Sequence, residues 1–255
     1  MKILSRNVNG IRSVVNKWFC NTIQLLNPDI IALQETKAFE HQCPQEVRDL
    51  WYDICRHAWS RPGYAWTAIL TKLAHTRCSI FEQTMFHADG RVTQIEFDDV
   101  IVLNIYFPNW WTRADGTEML GYKLKFYDSL MEYLMQYKHK KVIIIWDYNI
   151  AHTPKDIARP KENEHSIWFL PIERAKIWEF MSQYIDVYRY LYPDSIEYTR
   201  RSYRSGAKQN NVWRRIDYVC VSPNLLPHIR WFEHYQHISW SDHCPYMIEI
   251  DLWDK

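Results

Sequence analysis

The 255 residues carry 31 Lys and Arg against 30 Asp and Glu, a net charge of +1, and 47% of them are hydrophobic. That balance supports a full hydrophobic core, and it lacks the strongly basic character by which many nucleic-acid binders announce themselves. No stretch approaches the roughly 18 apolar residues of a membrane span, and no Ser/Gly/Pro-rich linker or charge block divides the chain. Residues 1–255 are therefore expected to form one domain of a soluble, cytoplasmic protein.

The first apolar run, Lys2 to Arg6, leads into Asn7, and 11–27 carries apolar residues at near-helical spacing with Pro28 as a stop. The run from Ile30 leads through Gln34 into Glu35, completing a β-α-β start. A short helix is predicted over 44–50, then strands over 64–71, 78–83, 92–97 and 100–107. The last two are joined by Asp98-Asp99 as a tight hairpin, and the strand over 100–107 contains Tyr106. A helix over 118–137 places Leu120, Leu124, Tyr127, Leu130, Met131 and Leu134 on one face as a packing stripe. The run from Val142 ends on Asp147 and Asn149, a helix with Pro in its first turn covers 171–184, and strands follow over 215–221 and 245–252. Unalternating apolar strands are covered on both faces, so these mixed strands with flanking helices imply an α/β sandwich of four layers, two packed sheets between helices.

The six cysteines, Cys20, Cys43, Cys55, Cys78, Cys220 and Cys244, show no C-x-x-C pairing and are expected as reduced thiols. Basic residues cluster at Arg200, Arg201, Arg204 and Lys208, at Arg214 and Arg215, and at Lys155, Arg159 and Lys161. Each cluster taken alone reads as a solvated face. An Asp or Asn after a strand is ordinarily a turn former or helix cap. The repetition of such residues at strand ends along the whole chain instead points to one pocket of hard oxygen donors suited to a metal ion or a phosphate.

In order along the chain stand Asn7-Val-Asn-Gly-Ile-Arg12, Leu33-Gln-Glu-Thr-Lys37, Asp89-Gly-Arg-Val92, Asn104-Ile-Tyr-Phe-Pro-Asn109, Asp147-Tyr-Asn149-Ile-Ala-His152, Asp156-Ile-Ala-Arg-Pro160, Phe169-Leu-Pro-Ile-Glu-Arg174, Arg215-Ile-Asp-Tyr218 and Ser241-Asp-His-Cys-Pro245. This series resembles the exonuclease III branch of the endonuclease/exonuclease/phosphatase superfamily across nearly the entire chain. The resemblance implies a DNA-repair phosphodiesterase dependent on Mg²⁺, with Mn²⁺ able to substitute. Such an enzyme cuts duplex DNA 5′ to abasic sites and trims 3′ ends, and it is expected here as a monomer. It implies Glu35 as the first metal ligand, with Asn7 and Asp242 contributing; Asp147, Asn149 and His243 could instead hold a second metal. It further implies Asp147 as the group acting on the attacking water, Asn149 as a donor to phosphate or water, and His243 as an imidazolium oriented by Asp217. Tyr106 and Asn109 fall where the family grips phosphate, and Arg200, Arg214 and Ile216 fall at the substrate pocket. The rival readings are a phosphatase or lipid phosphodiesterase of the same superfamily and a non-catalytic nucleic-acid binder.

One departure has a single direction. Only 6 residues are Gly and 13 are Trp, where average usage predicts roughly 18 glycines. Trp66, Trp146, Trp168, Trp213 and Trp240 stand where the family's motifs carry Gly. Trp110-Trp111 follows Pro-Asn where a turn residue is expected. Conversely Arg6, Arg200, Arg201 and Arg214 stand at family aromatic positions. A reassigned genetic code, with Gly written as Trp and Trp as Arg, is the expected common cause; real divergence of the protein is the alternative.

Overall fold

The computed structural model describes residues 1–56, 66–81, 86, 89–109, 119–201 and 213–252. In chain order these form β1 (Lys2–Asn7), α1 (Ile11–Val15), α2 (Phe19–Leu26), β2 (Ile30–Gln34), α3 (Gln45–Arg48), β3 (Asp53–Arg56), β4 (Ala68–Thr71) and β5 (Arg77–Ile80). Then come β6 (Val92–Phe97), β7 (Val100–Tyr106), α4 (Met119–Leu134), β8 (Lys141–Asp147), α5 (Pro171–Met181), β9 (Ile185–Asp186) and α6 (Val187–Leu191). The chain finishes with β10 (Arg200–Arg201), β11 (Trp213–Arg214), β12 (Asp217–Val221), β13 (Ile229–His234) and β14 (Tyr246–Ile250).

Two six-stranded mixed sheets result, ordered β13-β14-β1-β2-β4-β3 and β5-β6-β7-β8-β12-β9. Ile3, Ile30, Ala32 and Ile69 of the first sheet and Ile95, Val102, Ile143, Ile145 and Val219 of the second form one buried cluster between them. A second cluster joins the other face of the first sheet to Ile11, Val14, Phe19, Ile23 and Val47 of α1 to α3. A third joins the second sheet to Phe126, Leu130 and Leu134 of α4 and Ile177 and Phe180 of α5. Each sheet is thus apolar on both faces, which is why its strands read as continuous runs, and the four layers are helices, sheet, sheet and helices.

Three sequence expectations change. The helix over 11–27 is two helices, because Trp18 adopts φ 68° and breaks the repeat between them. Cys55 on β3 and Cys78 on β5 are joined as a disulfide, with Cα atoms 5.8 Å apart. They lie on edge strands of the two sheets, a juxtaposition that spacing along the chain does not reveal. Arg215 is no surface charge: it is 1% exposed and pairs with Asp156 and Asp186. The α4 stripe packs as predicted through Tyr127, Leu130 and Leu134, but Lys123, a residue outside the stripe, is also fully buried. Residues 57–65, 82–85 and 110–118 lie outside the described residues, and with them parts of two expected strands and the Trp110-Trp111 pair.

Candidate active site

The register brings the strand-end residues to one end of the sandwich. Parallel pairing sets Asn7 opposite Gln34 and Tyr106 opposite Asp147, and antiparallel pairing sets Asp217 opposite Asp147. Ligand-binding residues of layered α/β proteins gather at such strand ends. The sheets are tied together there by polar groups: Gln34 Nε2 donates to Asn104 Oδ1 (2.7 Å), and Asn104 Nδ2 donates to the carbonyls of Leu33 and Ala68 (2.9 Å each). Thr199 Oγ1 accepts the amide protons of Ile216 and Asp217, both at 3.1 Å, and so fixes the start of β12.

Side chains distant in sequence then form a continuous chain of contacts. Asn7 Nδ2 donates to Glu35 Oε1 and to Asp147 Oδ2, each at 2.8 Å. Asp147 Oδ2 stands 3.8 Å from His243 Nε2, and His243 Nδ1 donates to the Asp217 carboxylate at 2.9 Å. Ligand atoms of Asp147, Asp217 and His243 all lie within 4.8 Å of one another. The Ser241-Asp-His loop is pinned beneath by Ser241 Oγ, which donates to the Asn7 carbonyl at 2.6 Å. Glu35 (φ 51°), Lys37 (φ 49°) and Asn149 (φ 52°) all hold left-handed backbone, a sparsely populated conformation that clusters at functional sites.

Charge balance in this pocket is uneven. Burial pushes Glu35 up, but the Lys37 ammonium at 2.6 Å, with hydrogen bonds from Asn7 and Tyr106, brings it below the ordinary value. Asp147 goes the other way: burial, with the Asp217 and Glu35 carboxylates, raises it against the opposing pull of His243 and Asn7. Burial disfavours the His243 imidazolium, yet Asp217, Asp147 and Asp242 lift it to about 9. Tyr106 is raised well above its ordinary value by burial and then by Glu35 and Asp147, which keeps its phenol protonated.

Asn149 is held by three bonds: its N–H donates to Asp147 Oδ1 (3.1 Å), its Nδ2 donates to the Phe107 carbonyl (3.1 Å), and its own carbonyl accepts from Lys123. Asp242 lies at the rim, 3.4 Å from Asn9 Nδ2 and 3.5 Å from Arg200 Nη2. Asn109 follows β7, partly buried. Ile216 is 0% exposed, so its side chain presents no surface to a substrate, and its carbonyl instead accepts from Tyr148 N–H at 2.8 Å. Arg200 and Arg214 both lie over the Trp168 ring, 4.8 and 3.7 Å from its centroid. The sequence reading missed Lys37 and Gln34, although both stand inside the Leu33-to-Lys37 motif that it singled out.

The donor set fits a hard divalent cation. Glu35, Asp147, Asp217 and Asp242 offer carboxylate oxygens, and Lys37 already places one positive charge against Glu35. Comparison with known proteins identifies the family. The model of the endonuclease/exonuclease/phosphatase family matches residues 7–243. The chain belongs to that family.

Among relatives of this family member, an exodeoxyribonuclease of Bacillus subtilis is 33% identical over 257 residues, 99% of this chain and 100% of that protein. A DNA-(apurinic or apyrimidinic site) endonuclease of Dictyostelium discoideum is 33% identical over 99% of this chain and 71% of its own length. The structure of an AP endonuclease from Archaeoglobus fulgidus superposes with TM-score 0.87 over 99% of this chain and 100% of that one, at 23% identity, and so shares the fold. Among the described residues no helix is long and apolar enough to cross a membrane.

Proposed function

We propose that the chain is a Mg²⁺-dependent DNA-repair phosphodiesterase that cuts duplex DNA 5′ to abasic sites and removes nucleotides or blocking groups from 3′ ends. The observation that carries the reading is the continuous contact chain Glu35–Asn7–Asp147–His243–Asp217. The names of the Bacillus and Dictyostelium relatives support DNA as substrate, and the fold is shared with a Neisseria 3′ phosphatase described as bound to a product DNA hairpin. Residues 1–255 act in this reading as one catalytic domain and a monomer.

Glu35, with Asn7 and Asp242, would hold the cation, and Mn²⁺ would substitute for Mg²⁺ because both take oxygen ligands. Bound there, the ion supplies neutralisation of charge on the scissile phosphate. The chain's own residues do the rest. Asp147, with its raised pKa, takes a proton from the attacking water while Asn149 orients the water or phosphate. As the water's O–P bond forms, the bond from phosphorus to the 3′ oxygen breaks, and that oxygen leaves as a 3′-hydroxyl, its protonation assisted by the Tyr106 phenol, which burial keeps protonated. His243, charged and oriented by Asp217, donates Nε2–H to a non-bridging oxygen whose charge grows in the transition state. Asn109 and the Arg200 and Arg214 side chains contact the substrate.

Incubation with a duplex bearing one abasic analogue in Mg²⁺ tests the reading. A single nick 5′ to the analogue is expected, abolished by EDTA and by Glu35→Ala with DNA binding retained. Hydrolysis of a small phosphoester with the abasic duplex left intact overturns it in favour of a phosphatase-type activity.

A further inference from the structure

Resting on this phosphodiesterase reading, we propose that the buried Lys123–Glu173 pair is a positioning device that sets the catalytic Asn149 and the backbone at residue 168 together. Both side chains are 0% exposed, with Lys123 Nζ 2.8 Å from Glu173 Oε1. Two charges withdrawn this completely from water are not needed for stability, since an apolar pair of equal volume serves as well or better. One of their remaining bonds caps α5, where Glu173 accepts the Leu170 N–H, and the others lead toward the site. Lys123 Nζ donates to the Asn149 carbonyl at 3.1 Å, opposite an amide that donates to Asp147. Glu173 Oε2 accepts the backbone N–H of Trp168 at 3.0 Å and of Leu170 at 3.3 Å. The Trp168 carbonyl in turn accepts Ala151 N–H at 2.8 Å, two residues beyond Asn149.

Asn149 holds φ 52° and its carbonyl points at the ammonium. Without that donor, the turn at Asn149 is free to rotate, which carries its N–H away from Asp147 and its side chain away from Phe107. The ion pair thus links α4 and α5 to the strand-end turn that bears the reacting groups. A merely structural pair predicts loss of stability alone, whereas a positioning pair predicts loss of turnover with substrate binding kept.

The double variant Lys123→Met, Glu173→Leu separates the two by keeping volume while removing the bonds. We expect a folded double variant with a melting temperature lowered by loss of the α5 cap, kcat on the abasic duplex lower by about 100-fold, and KM within about threefold. A folded double variant with wild-type kcat overturns the proposal, as does a rise in KM with kcat unchanged. Should the double variant fail to fold, Glu173→Gln decides, because it keeps an acceptor for Trp168 N–H but no charge for Lys123: unchanged kcat overturns the pair's role and a lowered kcat at constant KM supports it. A wild-type chain that cleaves no DNA counts against the phosphodiesterase reading rather than against the pair.

A separate observation, backbone conformation, bears on which residues the cell places at the tryptophan positions. Of the nine tryptophans among the described residues, Trp18, Trp51, Trp66 and Trp168 have φ of 68°, 58°, 44° and 79°. Left-handed backbone is uncommon for any non-Gly residue and an outlier for a bulky one. The buried indole Nε1 atoms of Trp66 and Trp168, and Nε and Nη1 of Arg214, have no hydrogen-bond partner among the described residues. The oversized and the undersized side chains also face each other: Arg6 lies 4.8 Å over Trp240, Arg201 lies 5.3 Å over Trp213, and Arg214 lies 3.7 Å over Trp168. Exchanging Trp for Gly and Arg for Trp in each pair returns one indole to the same space. We infer that the protein made in its own cells carries Gly at 66, 168, 213 and 240 and Trp at 6, 201 and 214. Peptide mass spectrometry of the protein isolated from those cells decides: Gly at 66 and 168 with Trp at 214 is expected, and Trp at 66 and 168 overturns the inference.

Discussion

Asp217→Asn isolates the electrostatic core of the site. The asparagine keeps an acceptor for His243 Nδ1, now 2.9 Å from either carboxylate oxygen, while removing the charge. Lifting the imidazole from 6.5 to about 9 corresponds to roughly 3 kcal/mol of preference for the charged ring, to order of magnitude. Burial opposes that lift, and Asp217 is the foremost of the groups that produce it. Without the carboxylate, burial is opposed only by Asp147 and Asp242, so the folded-state pKa falls and fewer rings stay protonated at pH 7.5. The sign follows: the imidazolium is present below its pKa, so the alkaline limb of the pH–rate profile moves to lower pH. We expect kcat/KM on an abasic duplex at pH 7.5 to fall by roughly 10² to 10⁴, with partial recovery near pH 6. NMR titration of His243 in EDTA reads the pKa directly. A ring in Asp217→Asn that still titrates near 9, or turnover within a few-fold of the wild type, refutes the reasoning.

Glu35→Gln should abolish the rise in melting temperature that Mn²⁺ gives the wild type, since it removes the carboxylate charge beside Lys37; differential scanning fluorimetry with and without metal reads this. Asp156→Asn should destabilise the fold by about 3–5 kcal/mol, because Asp156 bonds Arg215 (2.8 Å) and Arg189 (2.7 Å) in the interior. Burial raises the Asp156 pKa, but the two guanidinium groups bring it well below its ordinary value, so its stabilisation is fully present above about pH 4 and is lost as pH falls further. Urea melts of the wild type should therefore weaken in acid more steeply than those of Asp156→Asn. Reduction of Cys55–Cys78, or Cys55→Ser, should cost about 3 kcal/mol for a loop of 23 residues, read by melting with and without reductant; an unchanged melt contradicts the cross-link.

The sheets and the site residues were legible because each apolar run ends on the residue that the fold uses. Pairing of β7 with β8 brings Tyr106 beside Asp147, and stacking of the two sheets brings Asn7 to them. What escaped the sequence reading depends on partners remote in the chain. Lys123 in an amphipathic helix reads as a solvated face until Glu173 of α5 is set against it. Arg215 reads as one of a basic cluster until Asp156 and Asp186 enclose it. Cys55 and Cys78 read as lone thiols because their strands belong to different sheets. The break before α2 was hidden for another reason: a tryptophan carries no sequence signal for the left-handed backbone found at Trp18.

Anomalous diffraction from Mn²⁺-soaked crystals of the protein locates the cation. A peak is expected at the Glu35 carboxylate, in the pocket shared with Asn7, Asp147 and His243, with its loss in Glu35→Gln. Manganese bound elsewhere, with the Glu35 pocket empty in a crystal that still cuts DNA, contradicts that placement.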